Sequence, residues 1–278
     1  MNLTSLQIDS FNENGFIIID KFFNSEEITD FENSLQYLIK INLEKASKTN
    51  SNISINEFKN SIFDNGLIKL EELDHQYVAD IYDTICQVPE FLRLITKKET
   101  THYINQLLSR DQKNPLYTFT CRCRIDPPND DSRKTKWHQE VFYTIPKSNF
   151  LQTWAPLVGD ANAHNGTIQV CVGSHKEGIA KQSWDMEKGG ANPYVIDENI
   201  VNKYEIMDVE MQRGQFMIFN SRLFHRSGNN SSNKVRYSLV GMYHDVDNLN
   251  FEPPNLTFKY RKDPKQFYDN VFPPQKNN

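Results

Sequence analysis

The sequence predicts a mainly β fold with flanking helices: a double-stranded β-helix, or jelly roll, braced by amino-terminal α-helices. Three observations carry this. Apolar residues recur at helical spacing through the first hundred residues. From Tyr117 the period changes to two. Several short strands then follow, separated by turns rich in Gly, Asn, Asp and Pro and without helices between them, the pattern of a sandwich or barrel.

Taken in order, the segment 15–23 (GFIIIDKFF) reads as a short buried strand, and Asn24 or Ser25 then caps a helix with two glutamates in its first turn. Ile28, Phe31, Leu35, Leu38 and Ile39 form its apolar face, and the polar stretch 47–56 reads as a loop. Helical signals continue to about Gln106, with Val78, Ile81, Ile85, Phe91, Leu92 and Leu94 as the core face. In the strand that opens the second region, Phe119, Cys121, Cys123 and Ile125 alternate with Thr118, Thr120, Arg122 and Arg124. Further strands are predicted at 149–157, 167–172, 205–211, 215–219 and 235–244. The stretch 176–200 lacks a period and reads as a long loop of the kind that forms lids. A tail rich in Pro and aromatic residues, from about Asn248, is expected to drape over the barrel. A length of 278 residues suits one domain, made of a bracing region at 1–116, a jelly-roll core at 117–245 and a tail at 246–278.

Composition narrows the function. With 36 acidic against 31 basic residues the net charge is −5, which gives no bulk attraction for nucleic acid or anionic membrane and points to a small-molecule or protein partner. No apolar run is long enough to span a membrane, and the amino terminus lacks the pattern of a secretory signal, so a cytoplasmic protein is expected. The four cysteines then read as reduced thiols. Cys121 and Cys123 lack the spacing of a zinc site. Oligomeric state has no signature in the sequence.

The chemistry is carried by histidines. Two histidines and a carboxylate on one face of an octahedron hold the iron of non-haem oxygenases and leave sites for cosubstrate and O2. A His-x-acid triplet on a strand supplies two of these ligands, because residues two apart point to the same side. Two such triplets exist, His138-Gln139-Glu140 and His175-Lys176-Glu177. Their position in the chain chooses between them. In a jelly roll the paired ligands come early and the lone histidine late; His225 is the late candidate, and His138 leaves room for about four intervening strands, which His175 does not.

Three stretches resemble the phytanoyl-CoA dioxygenase family of Fe(II)/2-oxoglutarate oxygenases. The first is Trp137-His138-Gln139-Glu140. The second runs from Gln152-Thr153-Trp154-Ala155-Pro156-Leu157 through Asn165-Gly166-Thr167 to Gly173-Ser174-His175. The third is His225-x-Ser227, Asn229 or Asn230, and Arg236-x-Ser238. The resemblance covers about residues 117–245, and a weaker likeness at the GFIIID segment extends it over most of the chain. It implies that His138, Glu140 and His225 bind Fe(II) and that Arg236 grips the distal carboxylate of 2-oxoglutarate with its planar fork. It also implies that Ser227 bonds the same carboxylate, that Trp154 lines the cosubstrate pocket, and that His175 belongs to a structural turn. Arg236 on a solvent face, Ser227 as a turn cap and Trp154 as core filling are the alternatives. The family's usual acid is aspartate, so Glu140 is a departure; halogenases related to the family lack this carboxylate, and a glutamate argues against halogenation.

The implied activity is hydroxylation of a small metabolite with O2 and 2-oxoglutarate as cosubstrates, giving succinate and CO2. The alternatives are an idle jelly-roll binding module with a degenerate site, and desaturation or epimerisation with the same cofactors. Two placements remain open for Arg122 and Arg124: a solvent face, or an inward face on which, with Lys136, they meet an anionic substrate.

Overall fold

The computed structural model describes residues 2–49, 53–145, 147–185, 193–249 and 251–253. Its amino-terminal region follows the helical periodicity. Helix α1 (Ser5–Asn14) is closed at its start by a capping box between Thr4 and Gln7. Strand β1 (Phe16–Ile19) leads to α2 (Ser25–Thr49), where Asn24 and Glu27 exchange backbone-to-side-chain hydrogen bonds of 2.9 Å. Ile28, Phe31, Leu35, Ile39 and Leu43 lie along one stripe of α2 and are fully buried. Helices α3 (Leu67–Leu73), α4 (His75–Ile85), α5 (Pro89–Ile95) and α6 (Lys98–Leu107) complete the layer. The predicted core residues Val78, Ile81, Ile85, Phe91 and Leu94 are buried, whereas Leu92 faces solvent.

The β region comprises β2 (Leu116–Asp126), β3 (Phe150–Pro156), β4 (Ile168–Cys171), β5 (Gln182–Trp184) and β6 (Tyr194–Ile196), then, after the short helix α7 (Glu198–Val201), β7 (Ile206–Asp208), β8 (Phe216–Asn220), β9 (His225–Ser227) and β10 (Arg236–Asp245). A major antiparallel sheet runs β1-β8-β3-β10-β2, and a minor sheet runs β7-β4-β9. Alternation along the major sheet separates two environments. Leu151, Ala155, Phe216, Ile218, Tyr237 and Leu239 turn toward the helices, while Trp154, Met217, Phe219 and Val240 turn toward Ile168, Val170 and Leu223 of the opposing layer. The fold is mainly β with flanking helices, and the functional cavity lies between the two sheets.

The structure departs from the sequence-based expectations at several places. Helix α1 was not foreseen, because its polar sequence carries a weak apolar stripe with Phe11 as its one buried residue. The stretch 176–200 contains the β5–β6 hairpin and α7, and its residues 186–192 lie outside the described residues. The expected draping of the tail concerns a segment that, from residue 254, also lies outside them. Thr120 has φ 55°, and the register with β10 shifts between Val240 and Met242. This β-bulge reverses the alternation, so Phe119, not Thr118 or Thr120, shares the face of Arg122 and Arg124.

The exit from β9 depends on glycine. Gly166 has φ 79°, and a Cβ there would lie 2.7 Å from the Asn230 nitrogen; a Cβ on Gly228 would lie 2.5 Å from the Thr167 carbonyl oxygen. The Asn165-Gly166 turn therefore packs backbone to backbone against the segment that follows β9. No helix among the described residues is long and apolar enough to cross a membrane. The four cysteines are free thiols.

Candidate metal centre and active site

His138 and Glu140 do not sit within a regular strand. His138 forms an isolated antiparallel bridge with His225, each donating its N–H to the other's carbonyl at 3.1 Å, and Glu140 begins a single 3₁₀ turn. The expected parity survives because Gln139 is extended: His138 and Glu140 turn into the cavity and Gln139 turns away. Gln139 is fully buried there, donating to the carbonyls of Gly178 and Arg222 at 2.7 Å and accepting from the Ala180 N–H at 3.0 Å. It ties the ligand segment to the loops on either side.

His138, Glu140 and His225 bring one potential ligand atom each within 4.8 Å of one another. Glu140 Oε2 lies 3.5 Å from His138 Nε2 and 3.8 Å from His225 Nε2. Both Nδ1 atoms face backbone carbonyls, of Lys136 at 2.7 Å and Leu223 at 2.9 Å. Those bonds place the imidazole proton on Nδ1 and turn the Nε2 lone pair toward the cluster, as a metal-binding histidine requires. Gln152 steadies the carboxylate by donating to Glu140 Oε2 at 3.1 Å. Burial, and then the charge of His138, push His225 down to about 3, which keeps it neutral and able to ligate. Burial pushes the Glu140 carboxyl up, but its surroundings, His138 first and then His225 and the Gln152 amide, outweigh it and hold the group below its ordinary value. Metal–ligand bonds of about 2.0–2.2 Å put neighbouring ligands about 3 Å apart, so a small inward movement of this set suits a divalent ion.

A cavity of about 230 Å³ opens over the cluster. Arg236, Ser227, Trp154, Arg122 and Arg124 all line it with the histidines, so the residues predicted for the site share one space. Their pairings differ. Arg236 is buried and its Nη2 donates to Asp126 at 2.8 Å, while Nε and Nη1 have no partner. Two unmatched N–H groups on a buried guanidinium fit an incoming carboxylate. Arg124 is spent on the same Asp126, at 2.7 Å from Nη2, and on the Arg133 carbonyl. Ser227 and Thr135 share a hydroxyl–hydroxyl bond of 2.8 Å, and the Ser227 N–H donates to Thr135 Oγ1 at 2.7 Å. Lys136 does not join the cavity; it pairs with Asp185 at 2.6 Å. His175 lies elsewhere, against the Asn12 carbonyl and Gly15.

Three contributors were missed from sequence. Asp126 is the buried anion between Arg124 and Arg236: burial opposes its ionisation, yet the two arginines hold the carboxyl well below the usual range. Its place two residues after Arg124 on one strand was the available signal. Thr135 and Tyr143 also line the cavity, and the Tyr143 ring lies edge-on to His138 at 5.7 Å.

Comparison with known proteins assigns the chain to a family. The family model described as phytanoyl-CoA dioxygenase (PhyH) matches residues 11–238. The chain belongs to that family. It is 22% identical over 254 residues to the peroxisomal phytanoyl-CoA dioxygenase of Bos taurus, covering 88% of this chain and 70% of that protein. The Homo sapiens protein of the same name is 21% identical, with 88% and 69% covered. Among solved structures, the epimerase SnoN in complex with Fe3+, alpha ketoglutarate and nogalamycin RO superposes with a TM-score of 0.59 at 15% identity, over 87% of this chain and 83% of SnoN. EctD from S. alaskensis, solved with 2-oxoglutarate and 5-hydroxyectoine, gives a TM-score of 0.58 at 19% identity, over 88% and 77%. The carbocyclase SnoK gives 0.57 at 16% identity, over 88% and 85%. These likenesses establish a shared fold.

Proposed function

We propose that this chain is an Fe(II)- and 2-oxoglutarate-dependent dioxygenase that hydroxylates a small, anionic metabolite and releases succinate and CO2. One observation carries the reading. The His138, Glu140 and His225 cluster, with its Nε2 lone pairs turned inward, shares a cavity with a buried Arg236 that has two unmatched N–H groups. In this reading the two histidines and Glu140 hold the iron. Arg236 takes the distal carboxylate of 2-oxoglutarate beside Ser227, and Trp154 walls the cosubstrate. Iron and 2-oxoglutarate, when bound, supply the oxidising chemistry from O2. The chain's own residues orient and shield: Gln152 fixes Glu140, Asp126 aims Arg236, and Trp154, Val240 and Met242 keep the wall apolar.

Glu140 in place of aspartate is compatible with this role. Glu140 opens a 3₁₀ turn, and Gln152 holds its longer side chain within 4 Å of both imidazoles. The same support weighs against an idle binding module. Epimerisation and desaturation would use the same cofactors, and product analysis separates them from hydroxylation.

The test is anaerobic reconstitution with Fe(II) and 2-oxoglutarate, followed by metal analysis and by the visible charge-transfer band of the chelated cosubstrate. The parent protein is expected to bind one iron and develop the band. His138→Ala and His225→Ala are expected to lose both, along with succinate formation in air, while keeping their circular dichroism. His175→Ala is expected to retain all three. Succinate production at the parent rate by both ligand variants would refute the assignment.

A further inference from the structure

The cavity keeps two polar groups that neither the metal nor the cosubstrate uses. Four guanidiniums line it. Arg124 and Arg236 are joined to Asp126, and Arg226 donates to Gln169 at 2.7 Å while lying over the Trp137 ring at 4.5 Å. Arg122 is exposed at the rim and makes no hydrogen bond or ion pair among the described residues. It faces the cavity in register with Val240, on the inner side of the bulge.

The second group is the side-chain carbonyl of Gln152. The residue is 3% exposed and its amide nitrogen is committed to Glu140, so its orientation is fixed. Its Oε1 has no donor. A buried acceptor left unmatched is costly, and it calls for an O–H or N–H from whatever fills the cavity. Gln152 on β3 and Arg122 on β2 are separated by β10 alone, a lateral distance of about 10 Å between their strands. A small molecule spans that distance.

Charge selects the kind of molecule. With a divalent iron and a doubly charged 2-oxoglutarate bound, the four guanidiniums, Glu140 and Asp126 would leave two positive charges uncompensated, in a chain whose net charge is −5. A concave site of that sign concentrates anions and repels ammonium groups. The donor to Gln152 is therefore an uncharged group, of which a hydroxyl is the smallest.

Resting on the oxygenase reading above, we infer that the substrate is a small hydroxylated anion, its carboxylate or phosphate gripped by Arg122 and its hydroxyl donating to Gln152 Oε1. Arg122 is then the residue that sets charge specificity, while Arg236 serves the cosubstrate.

The experiment uses the full chain loaded anaerobically with Fe(II) and 2-oxoglutarate. It is titrated with two matched pairs of probes, 3-hydroxybutanoate against 3-hydroxybutanamide and glycerol 3-phosphate against glycerol. Binding is read by calorimetry and by perturbation of the visible band. At least one anionic probe is expected to bind more tightly than its neutral partner by about tenfold or more, the range of a charge-assisted hydrogen bond. The pair that responds distinguishes carboxylate from phosphate. Arg122→Gln is expected to erase the preference, and Arg122→Lys to restore part of it. Arg222→Gln removes the same charge from an exposed position outside the cavity lining and is expected to keep the preference. Absence of a band in the parent protein defeats the underlying oxygenase reading. A band without charge preference in either pair, or a preference that survives Arg122→Gln, overturns this inference alone.

Discussion

Asp126→Asn is nearly isosteric and removes the one carboxylate shared by two buried arginines. In the parent, Asp126 Oδ2 accepts from Arg236 Nη2 at 2.8 Å and Oδ1 from Arg124 Nη2 at 2.7 Å, with side chains 9% exposed for the acid and 5% and 18% for the bases. Removing one partner of a buried ion pair costs about 3–5 kcal/mol, because the remaining charge stays desolvated. With a urea m-value of about 3 kcal/mol/M, the midpoint falls by about 1–1.7 M. Acid should close the gap. Burial opposes ionisation of Asp126 but the arginines prevail, so its folded value is depressed below the unfolded value of about 3.9. A depressed carboxylate contributes stability above the unfolded value and loses it as pH falls through the folded one. The difference between parent and variant is thus expected to be constant from pH 7 to about 5 and to shrink below about 4. Urea unfolding followed by circular dichroism at several pH values measures it. A variant within 1 kcal/mol of the parent at pH 7, a small fraction of the loss expected for a buried pair, would show that the cluster is relaxed by solvent and refute the reasoning.

Two further outcomes follow from named contacts. Arg236→Ala is expected to weaken 2-oxoglutarate binding by on the order of 2–5 kcal/mol, read from titration of the anaerobic visible band; an unchanged affinity would remove this residue from the cosubstrate site. Gly228→Ala drives a Cβ to 2.5 Å from the Thr167 carbonyl, backbone that cannot swing aside, and is expected to lower stability by about 1–3 kcal/mol in the same urea assay. Parent-like unfolding would mean that the turn yields.

The strands and the candidate metal-binding cluster were legible in sequence for a physical reason. Alternation survives wherever one sheet face meets an apolar layer, as at Leu151, Ala155, Phe216 and Ile218, and the predicted strands at 149–157 and 215–219 differ from β3 and β8 by a single residue at either end. His138 and His225 stood out because two histidines that meet on adjoining backbone must be separated in sequence by the strands that build the cavity. What escaped depends on pairings that sequence does not encode locally. Asp126 reaches Arg236 because β10 runs antiparallel beside β2 with Arg236 directly opposite Asp126. The bulge is placed at Thr120, which lacks the glycine that would announce a positive φ. The β5–β6 hairpin has three residues in each strand and little burial, too short for a period to emerge.

That bulge divides β2 into two stretches that answer to different constraints. From Arg122 inward, register with β10 is held by Arg124, Asp126 and Arg236, so a slip there would dismantle the charge cluster. Outward of Thr120, Tyr117 and Phe119 meet His244 and Met242 further along the same sheet face. The spare residue works like an expansion joint. Sequence changes at the outer end can lengthen, shorten or re-aim that stretch without transmitting a frame error to the charge cluster.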